Sequence, residues 1–129
     1  MAEEERLASS PSRASAPLEA GWVLSGRDGA GRPVRLVFGD TELSQAYLGL
    51  VVGRHPALCD RVIDDLSVSR RHMRIGMAEG RPYVEDLNSL NGTLLDGAEV
   101  PQFEPTPIAA GRELTLGRVV LEVVRVEAS

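Results

Sequence analysis

Lysine is absent from this chain. All 14 basic residues of the 129 are arginine, set against 19 acidic ones, for a net charge of −5. That acidic balance excludes a general nucleic-acid binder, whose domains carry a basic face. A single cysteine, Cys59, excludes an internal disulfide and the disulfide-stapled secreted class. A reducing compartment, the cytoplasm, is the resulting expectation. No apolar run approaches the length of a membrane span, so no membrane partner is expected. The stretch Met1 to Arg6 has no basic segment leading into an apolar one, so no secretory signal is expected either. Helical periodicity is missing too: no stretch keeps it over three turns.

Large apolar residues are scarce over residues 1–20, which are mostly Ala, Ser, Pro and Glu. Such a segment cannot bury enough surface to offset the entropy of ordering it. It is expected to be a disordered tail ahead of one domain at 21–129. The domain then reads as short strands between turn signals. A first strand starts at Trp22, Asp28 to Gly31 turn, and Val34 to Phe38 return. Residues 41–47 have no clear shape. Leu48 to Val52, Val62-Ile63, Met73 to Met77, Pro82 to Glu85 and Thr93 to Leu95 follow as strands. Glu79-Gly80 and Asp96-Gly97 are hairpin turns, the second being the strongest such signal in the chain. Glu113 to Leu116 and Val119 to Val126 close the domain, with Glu122 and Arg125 toward solvent or the sheet end. An all-β sandwich or barrel is the fold class this pattern indicates.

Three loop islands carry chemistry. Gly53-Arg54 ends a strand, and a guanidinium there can donate two hydrogen bonds to an anion. Ser69-Arg70-Arg71-His72 offers a hydroxyl donor and more positive charge. Asn88 to Thr93 contains Asn91, whose amide both donates and accepts, before Gly92, a turn residue. Each has a plainer reading as a solvated arginine or an ordinary turn. Ser69, His72 and Asp86 also have the residue types of a hydrolase triad, but no nucleophile-elbow glycine pattern surrounds Ser69. His55, Cys59 and His72 have the types of a metal site, but their spacing fits no zinc pattern. Cys59 reads more simply as a small buried hydrophobe.

Taken together, Gly53-Arg54, Ser69-x-x-His72 and Asn91-Gly92-Thr93, with D-L-x-S ahead of the last, resemble the signature of the forkhead-associated (FHA) domain. The resemblance covers about residues 22–126. It implies a β-sandwich of two mostly antiparallel sheets whose loops at one end bind phosphothreonine peptides. It implies that Arg54, Ser69 and Arg70 contact the phosphate and that Asn91 grips the peptide backbone. His72 then braces the loop, Gly53 and Gly92 are backbone devices, and Thr93 supports the site. Arg71 is mainly solvated. Leu90 departs from the family, which often has a small polar residue there. Ser67 and Val68 lie in a loop expected to face the peptide and carry no charge. Val68 and Leu90 are the candidates to receive the threonine methyl. The function implied is an adaptor for phosphothreonine-containing proteins, downstream of a Ser/Thr kinase, with no catalysis, metal or cofactor. Two rivals stand beside it: a structural or assembly subunit with an idle phosphate site, and a hydrolase on Ser69 and His72.

Some FHA proteins carry a threonine in an N-terminal tail that folds back once phosphorylated. Residues 1–40 here contain no threonine. Deleting residues 1–18 should therefore leave phosphothreonine-peptide affinity unchanged, with or without kinase treatment. A titration in which kinase treatment blocks only the full-length chain would refute this.

Overall fold

The computed structural model describes residues 19–128. The tail expected over residues 1–20 lies, except for its last two residues, outside them. Eleven strands and one short helix build the described part. They are β1 (Gly21–Arg27), β2 (Pro33–Gly39), α1 (Asp40–Gln45), β3 (Leu50–Gly53), β4 (Arg61–Val62) and β5 (Met73–Ala78). Then come β6 (Arg81–Asp86), β7 (Thr93–Leu95), β8 (Ala98–Glu99), β9 (Thr106–Pro107), β10 (Glu113–Leu116) and β11 (Val119–Val126). One sheet runs β2-β1-β11-β10-β7-β8 and the other β4-β3-β5-β6-β9. All pairings between these strands are antiparallel except that of β3 with β4.

Alternation decides which face turns inward. In β11, Val119, Leu121 and Val123 are buried while Val120 and Glu122 are exposed. Leu24, Leu114 and Leu116 extend that apolar face across the first sheet. Val52, Met73, Ile75 and Val84 present the matching face of the second, and the two close on one core. β11 lies between β1 and β10, so the apolar C-terminal run is interior to its sheet. Arg125 sits near its end and forks onto Asp40 at 2.8 and 2.9 Å, with its guanidinium 5.1 Å from the Trp22 ring.

Both expected hairpin turns form. Glu79-Gly80 and Asp96-Gly97 have positive φ at both positions, as a two-residue turn of the primed type requires. Residues 41–47 belong in part to α1, which no sequence period announced. Six residues are under two turns, too short to establish a helical repeat. The helix is held by tertiary contacts: Leu43 is fully buried, and Arg61 reaches from β4 to Glu42 at 2.5 Å.

Gly26 marks the tightest approach within the first sheet. A Cβ there would stand 1.9 Å from the Val120 carbonyl oxygen. Gly26→Ala should push β1 and β11 apart and cost about 1–3 kcal/mol, as other forced overpacking does. Urea titration measures this, and an unchanged midpoint would refute it.

Candidate anion-binding site

Three connections carry the sequence islands, and backbone hydrogen bonds draw them to one end of the sandwich. They are 54–60 after β3, 63–72 between β4 and β5, and 87–92 between β6 and β7. Arg54 N–H donates to the Ser69 carbonyl at 3.0 Å and His55 N–H to that of Arg70 at 3.2 Å. His72 N–H donates to Val52 at 2.9 Å, and Leu87 N–H donates to His72 at 3.0 Å. Gly53 lets the Arg70 carbonyl come this close. A Cβ on it would lie 2.3 Å from the Arg70 carbonyl oxygen and 2.8 Å from Cys59 Sγ.

His72 is fully buried, and both its ring nitrogens are engaged. Nδ1 accepts the Ser69 N–H at 3.0 Å, which leaves Nε2 to donate to the Gly92 carbonyl at 2.9 Å. The neutral ring with its proton on Nε2 therefore ties the β4–β5 loop to the β6–β7 loop. Burial holds its pKa below the usual value, against the Gly92 bond and the Asp86 charge, which favour the protonated form.

Asp86, at the end of β6, is also buried and holds the next loop from beneath. Its Oδ1 accepts the hydroxyls of Ser89 and Thr93, each at 2.6 Å, and its Oδ2 accepts Ser89 N–H at 3.1 Å. Thr93 is fully buried, so its support of the site runs through this carboxylate. A hydrolase triad is not assembled. Asp86 bonds Ser89 and Thr93 rather than His72, and Ser69 Oγ accepts Leu90 N–H at 2.9 Å.

Above this frame lies an open depression of about 920 Å³ whose lining includes Arg54, Ser69, Arg70 and Asn91. Arg54 is half-buried and donates Nε to the Val68 carbonyl at 3.0 Å. Among the described residues nothing else bonds its guanidinium, so the plane is fixed while Nη1 and Nη2 stay free. Ser69 Oγ accepts one hydrogen bond and keeps its own proton to donate. The side chains of Arg70 and Arg71 make no hydrogen bond or ion pair among the described residues and line the same depression. Asn91 spends one N–H of its amide on the Ser67 carbonyl at 2.8 Å, and its Oδ1 has no hydrogen-bond partner among the described residues. Gly92 has φ of +83°, the left-handed geometry its place in the turn demands. The structure thus brings all four candidate contact residues to one surface, with Gly53, His72, Gly92 and Thr93 in the loops and strand ends beneath it.

Two expectations need correction. Val68 is fully buried in the core and cannot meet a ligand's methyl group. Its side chain continues the apolar face, while its carbonyl serves Arg54. Cys59 is only half-buried, and its Sγ donates to the Arg70 carbonyl at 2.8 Å, so it is a loop tie as well as an apolar group. Burial nonetheless raises its pKa. Among the described residues no cluster suited to a metal ion occurs, and His55 Nδ1 instead accepts Ala57 N–H at 3.1 Å.

Residues not singled out by sequence also position the site. Asp65 Oδ1 accepts the N–H and hydroxyl of Ser67 at 2.8 and 2.6 Å, and its Oδ2 accepts Gly29 N–H from the β1–β2 turn at 2.8 Å. Those bonds, the Ser67 hydroxyl foremost, hold its pKa below the usual carboxylate range. Ser67 Oγ in turn accepts Arg118 N–H from the β10–β11 turn at 2.8 Å. Asp65 followed by Ser two residues later is a local cue to this turn. Its reach to Gly29 and Arg118 has no sequence signal.

His72 generates a pH test. The free imidazole titrates near about 6.5, and the folded protein holds His72 lower, so the unfolded chain takes up a proton first as pH falls. The stability this group contributes is complete above about pH 6.5 and is lost as pH falls through the lowered folded value. Melts between about pH 7.5 and 5 should fall more steeply for the natural chain than for His72→Gln. Parallel curves would overturn the assignment.

A sequence model of the FHA domain matches residues 50–117. The FHA domain-containing protein FhaB of Mycolicibacterium smegmatis is 36% identical over 89 residues, 64% of this chain and 56% of that protein. The glycogen accumulation regulator GarA of the same organism is 38% identical over 66 residues, 51% of this chain and 39% of that one. The chain therefore spans only 39–56% of the length of these relatives. Among solved structures, the FHA domain of a Chlamydia trachomatis protein superposes with a TM-score of 0.65 at 25% identity, covering 81% of this chain and 96% of that one. A second, from work on phosphothreonine-dependent FHA domain interactions, gives a TM-score of 0.59 at 28% identity, covering 81% and 95%.

Proposed function

The chain belongs to the FHA domain family, and from that premise we propose that it is a phosphothreonine-dependent interaction module whose ligand is a phosphorylated segment of another protein. One observation carries the reading: Arg54 is anchored through Nε with both terminal nitrogens unpaired among the described residues, beside a Ser69 hydroxyl with its proton to donate. A phosphate monoester brings about −1.5 to −2 charge and three acceptor oxygens, which these donors and the Arg70 guanidinium match. Asn91, steadied on Ser67, offers Oδ1 and its second N–H to the peptide backbone beside the phosphate.

In this reading the upstream partner is a Ser/Thr kinase and the protein works as an adaptor in the cytoplasm. Among the described residues no helix is long and apolar enough to cross a membrane. The reading assigns the module no chemistry of its own, and His72, with both ring nitrogens engaged, is not free to serve Ser69 as a general base. The domain is taken to be residues 21–129, with residues 1–20 as a tail that does not contribute to binding.

Arg54→Ala should cost about 2–5 kcal/mol of binding, which removes measurable affinity for a phosphothreonine peptide. Arg54→Lys should fail to restore it, since an ammonium cannot both hold the Val68 carbonyl and fork onto a phosphate. Calorimetric titration with the peptide and its unphosphorylated twin measures both. Undiminished binding by Arg54→Ala, or equal binding of the twins, would sink the proposal and favour an assembly subunit with an idle site.

A further inference from the structure

Leucine crowds the rim of the depression that holds the free guanidiniums. Among the described residues eight large hydrophobic side chains are exposed, and three of them, Leu58, Leu66 and Leu90, line this one surface. They come from three different connections: β3–β4, β4–β5 and β6–β7. Exposed leucines scattered singly need no explanation, but three gathered at a polar site do.

Their backbones are held. Leu90 N–H donates to Ser69 Oγ at 2.9 Å, and Leu58 N–H donates to the His55 carbonyl at 3.0 Å. Leu66 lies between Asp65 and Ser67, which are bonded to each other through two hydrogen bonds. The Asn91–Ser67 bond joins two loops, and Leu66 and Leu90 are the residues just before its two ends. They are 90% and 89% exposed, so each offers nearly a whole side chain to an incoming ligand. Leu66 also lines a neighbouring depression of about 790 Å³ that shares Ser67 and Asn91 with the first.

We infer that Leu66 and Leu90 set the sequence preference of this site, selecting an aliphatic side chain next to the phosphothreonine of the partner. The inference rests on the phosphopeptide reading above and names the ligand within it. An extended segment gripped at Asn91 passes between the two leucines, and their surface leaves water only if the segment brings apolar surface to them. On the Leu66 side the cations are already answered, since Arg118 shares its field with Asp65 and Arg32 pairs with Asp28 at 2.8 Å. With Arg54 and Arg70 on the phosphate, Arg71 is the cation of the main depression left to an acidic flank, and the aspartate-flanked peptide tests it. An anionic membrane is disfavoured by Asp64 and Asp65 in that depression and by the net charge of −5.

The test uses one phosphothreonine core with leucine, alanine or aspartate on both sides, titrated into the full chain. The leucine-flanked peptide should bind roughly tenfold more tightly than either other. Leu66→Ser and Leu90→Ser should each shrink that ratio. Phosphate-dependent binding with equal affinity for all three flanks would overturn this inference and leave the phosphopeptide reading standing. Failure of every phosphorylated peptide to bind would overturn both. Phosphatidylserine vesicles that bind the chain but not Leu66→Ser, with no flank dependence, would assign the leucines to a membrane and overturn it too.

Discussion

One buried imidazole holds the binding surface together. His72 joins the Ser69 N–H to the Gly92 carbonyl, so the two loops that carry Ser69 and Asn91 cannot move apart without breaking a buried bond. Leaving either partner unsatisfied would cost about 1–3 kcal/mol. The rest follows from this link. With the loops fixed, Ser69 Oγ meets Leu90 N–H, Asn91 meets the Ser67 carbonyl, and Val68 presents its carbonyl to Arg54. The chemistry also explains why this position is histidine. It must accept from a backbone N–H on one side and donate to a carbonyl on the other, across a fully buried gap.

A buried carboxylate does comparable work one layer below. Asp86 gathers the Ser89 and Thr93 hydroxyls and the Ser89 N–H, which shapes the 87–92 loop before Asn91 is reached. Positive charge is kept out of this inner layer and concentrated in the outer one. Arg54, Arg70 and Arg71 line the open depression instead. The division lets the frame be rigid while the contact groups stay available.

Much of this was legible in the sequence because the residue types are demanding. Gly53-Arg54, Ser69, His72 and Asn91-Gly92 each need a narrow chemistry, and their order along short strands marked the ends that meet. The paired-sheet fold was legible for the same reason: Asp96-Gly97 and Glu79-Gly80 announce hairpins locally. What escaped was set at long range. Alternation alone did not settle Val68, whose burial depends on how the 63–72 loop bends over the core. α1 is too short to show a period and exists because Leu43 and Glu42 find partners in other strands. The tie from Arg118 to Ser67 spans 51 positions, and no local pattern reports it.

That last tie bears on when the site comes into being during synthesis. Ser67 is steadied by the turn between β10 and β11, and β11 sits between β1 and β10. A nascent chain made as far as Thr93 holds every candidate contact residue and still lacks β10 and β11, which join β7 to β1 in the first sheet. Domains fold as units, and pairings this distant form late. The proposed phosphate site is therefore complete only after β11 has left the ribosome and paired. In the phosphopeptide reading, a chain still short of β11 cannot capture its partner.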